Sequence, residues 1–108
     1  MLTNTEQENL EQYIQGIDVS RIAIAFDALG DSYRCLIFRA LLKAQDVTVG
    51  QLARVVGISV SLASQHLKVL LQAGLVDKTK SGTRVYYQVN KQDDTVKAIT
   101  KAVEVKND

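Results

Sequence analysis

The chain has 108 residues, 46% of them apolar and 23% charged, with 13 Lys and Arg against 12 Asp and Glu, and one Cys. This suffices for a single domain with its own core (1–108), and a lone cysteine rules out an intrachain disulfide and suits a reducing cytoplasm. No apolar run approaches the ~18 residues a membrane span needs, and the polar, acidic start is unlike a signal peptide.

In chain order, a helix is expected from Asn4 to about Gly16, with Leu10, Tyr13, Ile14 and Ile17 as its apolar stripe. Residues 1–20 carry four acidic side chains and no basic one, so this arm is not expected to touch a polyanion. Met1–Thr3 should fray. Ser20 is expected to cap a second helix, Arg21–Leu29, with Ile22, Ala25, Phe26 and Leu29 facing the core. Together residues 4–30 form an N-terminal pair of helices assigned to dimerisation.

Asp31 should cap the next helix, Ser32–Ala44, whose nearly continuous apolar residues Ile37, Phe38, Ala40, Leu41 and Leu42 mark the central element (31–45). Cys35 falls within it and is read as a core residue.

From 48 to 74 the punctuation is dense. Thr48 and Gln51 form a capping box. Val49, Leu52, Ala53 and Val56 follow at helical spacing, and Gly57 suits a left-handed stop. Ser59 is a second N-cap and Gly74 the matching stop. Two helices joined by a short glycine-containing turn have the helix-turn-helix layout. In the second helix Ala63, Leu67, Leu70 and Leu71 point inward, leaving Ser61, Ser64, Gln65 and Lys68 on the outer face. No carboxylate occurs between Asp46 and Asp77, as a helix approaching phosphates requires. Gln65 can read an adenine edge, Ser59, Ser61 or Ser64 can bond bases or phosphates, and Val60 or Leu62 can touch a thymine methyl; Lys68 would reach a phosphate. Alone, this face equally fits an ordinary solvated helix.

The following segment favours DNA. Leu75–Lys80 and Arg84–Val89 are strand-forming runs around Ser81-Gly82-Thr83, a hairpin (75–89) with Lys78, Lys80 and Arg84 towards its tip. Thr83 and Arg84 join Lys80 as candidate DNA contacts. Residues 47–91 hold six Lys or Arg and one acidic residue, a net +5 in a chain of net +1, so the positive charge gathers beside the helix-turn-helix. A solvated hairpin with lysines guarding its edge is the plainer alternative. Finally, Asp93 or Asp94 should cap a last helix within 92–106, with Val96, Ile99, Thr100 and Val103 on its apolar side. Too short to bury itself and the first helix within one small domain, it is expected to pair with that helix across a two-fold dimer whose interface includes Leu10, Tyr13, Ile14, Ile17, Val96, Ile99 and Val103; the plainer alternative is that it folds back on its own chain.

Residues 59–76 match the pattern Ser-x-x-x-x-Ser-x-His-Leu-x-x-Leu-x-x-Ala-Gly-Leu-Val, Gly82–Tyr87 matches Gly-x-x-x-Tyr-Tyr, and Ala28–Arg34 is similar to Ala-Leu-Ala-Asp-Pro-Thr-Arg. Over about Phe26–Val89 the chain thus resembles the winged-helix repressors of the ArsR/SmtB family. The resemblance implies a mainly α fold with one β-hairpin, a winged helix-turn-helix, and a homodimeric bacterial or archaeal transcription repressor on a palindromic operator of double-stranded DNA. His66 stands at the family's usual His, with packing or a phosphate bond as its two readings. The family's metal sites use a Cys-x-Cys pair, here Thr48 and Gly50, or ligands on the last helix, which lacks His. No metal, cofactor, catalytic residue or membrane contact is therefore expected, and any effector is left open. The rival reading is a winged-helix module that contacts proteins without binding DNA.

Overall fold

The computed structural model describes residues 1–16 and 18–105. It contains α1 (Asn4–Gln15), α2 (Val19–Leu29), α3 (Ser32–Lys43), α4 (Val49–Val56), α5 (Val60–Gln72), β1 (Val76–Ser81), β2 (Arg84–Val89) and α6 (Asp94–Val103).

The boundaries follow local chemistry. Asp31, Thr48, Ser59 and Asp93 each lend a side-chain oxygen to a first-turn N–H of the helix they precede. Thr48 and Gln51 form the full capping box. Gly57 and Gly74 have φ of +81° and +74°, the left-handed stops that only glycine adopts without strain. Two starts differ from expectation. Helix α2 begins at Val19 because Asp18, not Ser20, is its cap, accepting from the Ser20 N–H at 3.1 Å. Thr3 does not fray: it builds a capping box with Glu6 at the head of α1.

Helix α3 is the hub. Ile37, Phe38 and Leu41 are fully buried and meet Leu52 of α4, Leu67 and Leu70 of α5, the hairpin root Leu75, Val76 and Val89, and Val96 and Ile99 of α6. Helix α2 approaches through small residues, Ala25 and Ala28, which lets it pack closely. Its larger side chains turn outward, so Ile22 and Phe26 are exposed (Phe26 at 59%) instead of facing the core as expected. Cys35 is half-buried, less covered than a core residue. The hairpin registers Val76 against Val89 through Ser81 against Arg84, leaving the two-residue loop Gly82–Thr83, with φ of +62° at Gly82.

Helix α1 stands away from this core and has no buried residue. The radius of gyration is 17.4 Å and the extents are 60 × 34 × 21 Å, against about 13 Å for a compact chain of this length. Leu10, Tyr13 and Ile14 are all exposed on it; Ile17 lies outside the described residues. The last helix behaves differently. Val96 and Ile99, expected at a dimer interface, are 1% and 6% exposed and belong to the protomer's own core, and Val103 is half-buried against it. Val96 and Ile99 thus keep little surface for a partner: α6 packs back on α3, where Arg39 Nη1 donates to the carbonyls of Val103 (2.6 Å) and Val105 (3.0 Å).

Candidate nucleic-acid interface

Helix α5 is held by Ala63, Leu67 and Leu70, all fully buried, so its opposite face is turned out rigidly. Ser59, Val60, Ser61, Ser64, Gln65 and Lys68 are exposed there, and Leu62 is half-buried. The wing brings Lys80, Thr83 and Arg84, all exposed, to its tip. None of these side chains carries negative charge, and Gln65 and Lys68 have no side-chain hydrogen bond among the described residues. Apart from Ser59, whose hydroxyl accepts from the Leu62 N–H, the face offers an amide, hydroxyls and cations without partners among the described residues, the donors and acceptors that base edges and phosphates take up.

His66 is less open than the others, and its surroundings favour packing of its two readings. Its side chain is only 11% exposed. The ring lies against Tyr33, with centroids 5.9 Å apart at 39°, and its Nδ1 is 3.5 Å from Arg34 Nη1 and 4.0 Å from Asp31 Oδ1. The Arg34 backbone N–H, which donates to the Asp31 carboxylate at 3.1 Å, holds that carboxyl below its ordinary pKa. Sequence reasoning missed this cluster, because α3 and α5 are 32 residues apart at the Arg34–His66 contact and no local period connects them. It also missed a cleft of about 470 Å³ between the start of α4 and the wing, lined by Thr48, Gln51, Thr83 and Arg84.

A buried three-helix hub, an outward second helix and a basic hairpin define the winged helix-turn-helix class. The model of the family described as "Bacterial regulatory protein, arsR family" matches residues 31–78. The chain is 32% identical over 92 residues to the arsenical resistance operon repressor of Bacillus subtilis, spanning 85% of this chain and 79% of that protein. It is also 32% identical over 74 residues to the cadmium resistance transcriptional regulatory protein CadC of Listeria innocua, which covers 68% of this chain but only 62% of CadC's length. Among solved structures, the homodimeric winged helix-turn-helix DNA-binding domain of Mb0332 from Mycobacterium bovis, a possible ArsR-family transcriptional regulator, superposes with a TM-score of 0.68 at 28% identity, covering 79% of each chain. The chain belongs to the ArsR family.

Proposed function

We propose that the chain is a transcription regulator that binds specific double-stranded DNA, acting as a dimeric repressor on a palindromic operator. The observation that carries this reading is the exposed, carboxylate-free face of α5 beside the basic wing. In it, Ser61, Ser64 and Gln65 read bases, with Val60 and Leu62 against thymine methyls. Ser59, Lys68, Lys80, Thr83 and Arg84 hold the backbone.

The dimer rests on exposed apolar surface. Leu10, Tyr13 and Ile14 of α1 are largely exposed among the described residues, and a groove of about 350 Å³ between α2 and α6 is lined by Ile22, Phe26, Ala98 and Ala102. Helix α1 carries Glu6, Glu8 and Glu11 and no cation, while α6 presents exposed Lys97 and Lys101. Packing α1 of one copy near α2 and α6 of the other would join apolar to apolar and acid to base. A two-fold dimer sets two α5 helices about one DNA turn apart, which is why the operator is a palindrome.

The regulator works in the cytoplasm of a bacterial or archaeal cell, without catalysis and without a metal signal. Metal sensing needs several soft or imidazole ligands, and this chain has one Cys and one His, on α3 and α5. Selection of bound sequences from a random duplex pool tests the proposal. Enrichment of a palindrome with half-sites about one turn apart supports it. Failure to retain any duplex at low salt overturns it in favour of a protein-contacting module, whose association would depend far less on salt.

A further inference from the structure

Arg34 reaches two helices from one position. It sits in the first turn of α3, partly buried. Its Nε donates to the Ala28 carbonyl near the end of α2 at 2.5 Å, and its Nη1 lies 3.5 Å from His66 Nδ1 on α5. The Ala28 carbonyl is one of the last four of α2, which have no helical partner of their own. One guanidinium therefore closes the end of the helix that bears exposed Ile22 and Phe26 and also reaches the base-reading helix.

A guanidinium only donates, and it is nearer to Nδ1 than the Asp31 carboxylate, which is 4.0 Å away. Pairing with Arg34 uses an Nδ1 lone pair and places the ring proton on Nε2; pairing with Asp31 would use an Nδ1 proton. Tyr33 closes one side of the imidazole. His66 precedes Leu67, which is fully buried, and follows Gln65, which is exposed, so a turn of the ring's anchor would also turn the reading face.

We propose that Arg34 and His66 are positioning residues: the Arg34 guanidinium, tied to Ala28, holds the His66 imidazole as a hydrogen-bond acceptor and so sets the angle at which α5 presents Gln65 and Ser64 relative to α2. Neither residue need touch DNA. The DNA consequence rests on the function proposed above. A change at the α2 surface has in this link a short physical route to the reading helix, through one side chain and one ring.

The test compares His66→Asn, which keeps an acceptor near the Nδ1 position, with His66→Gln, which does not, and adds Arg34→Met, which keeps the apolar stem. Affinity is measured for the selected operator and for random duplex at one salt concentration. The expected result is a loss of about tenfold on the operator for Arg34→Met and His66→Gln, with random-duplex affinity within about twofold and His66→Asn near wild type. An equal loss on both duplexes would mean that these residues hold phosphates, and it would overturn the proposal. So would unaltered operator binding, or His66→Asn being as defective as His66→Gln. If the unmodified protein binds no duplex, the functional reading fails, yet the link is still decided by nitrogen NMR of the His66 ring. The Nε2–H tautomer in the parent protein, lost or mixed in Arg34→Met, supports it; an Nδ1–H tautomer overturns it.

Discussion

Val47 and Tyr87 exchange both of their backbone hydrogen bonds, the Val47 N–H donating to the Tyr87 carbonyl at 3.2 Å and the Tyr87 N–H to the Val47 carbonyl at 2.8 Å. Strand β2 is thereby bonded on both edges, to β1 and to the residue that leads into α4. Asp46, at φ +59°, makes the turn that brings Val47 there. The wing is consequently no loose flap. Its root is locked to the helix-turn-helix, so the strand that carries Arg84 at its tip end leaves from a fixed point.

That rigidity makes Arg84 the sharpest test of the wing. In Arg84→Ala, affinity should fall for operator and random duplex alike, and the slope of log affinity against log salt should become shallower by about one unit. Fluorescence anisotropy titrations over a salt series measure this. An unchanged slope would take Arg84 off the list of phosphate contacts.

Gln65→Ala should behave in the opposite way. Its amide is exposed and free, so the loss should fall on discrimination: about 1–3 kcal/mol at one position of each half-site, with random-duplex affinity preserved. Binding to operators substituted base by base reads this out. Uniform weakening across all of them would assign Gln65 to the backbone.

The structure exchanges the effects that the sequence alone would assign to two substitutions. Phe26 is 59% exposed, so Phe26→Asp should leave a folded protomer that sediments as a monomer and binds the operator weakly. Ile99 is 6% exposed within the protomer's core, so Ile99→Asp buries a charge and should cost several kcal/mol, about 3 or more, unfolding much of the chain. Sedimentation combined with thermal unfolding separates the cases. A dimeric Phe26→Asp protein would move the interface away from α2.

Asp93 links the two elements beside that interface. It caps α6 through the Val96 N–H at 3.1 Å and pairs with Arg21 of α2. The Arg21 hydrogen bond first, and the Val96 N–H second, hold its carboxyl below the ordinary 3.8. A carboxylate with a lowered folded pKa stabilises the fold above the ordinary value, and that gain disappears as pH falls through the folded one. Asp93→Asn keeps a capping side chain and removes the charge. It should be less stable than the parent at pH 7, with the gap closing below about pH 4. Urea unfolding at pH 7 and pH 3 measures the gap; a gap no smaller at pH 3 than at pH 7 would exclude the Arg21 pair as its source.

Much of the fold was legible because its signals are local. The caps at Asp31, Thr48 and Ser59, the left-handed glycines at 57 and 74, and the inward row Ala63, Leu67, Leu70 each depend on neighbours within one or two turns. The outward set Ser61, Ser64, Gln65 and Lys68 followed from the same period. What a helical period cannot say is which of two apolar faces meets the core. The period ranked Phe26 as inward, and the shortness of α6 assigned Ile99 to a dimer seam. The packing reversed both.

Sequence by itself thus determined the helix-turn-helix, the hairpin and the charge they carry, since hydrogen bonding at helix ends and side-chain period are settled within a few residues. Tertiary structure alone decided that His66 turns inward to Arg34, that Val96 and Ile99 close the protomer's own core, and that α1 is left largely exposed. Those outcomes depend on volumes and donor–acceptor matches between segments tens of residues apart, which the order of residues along the chain does not record.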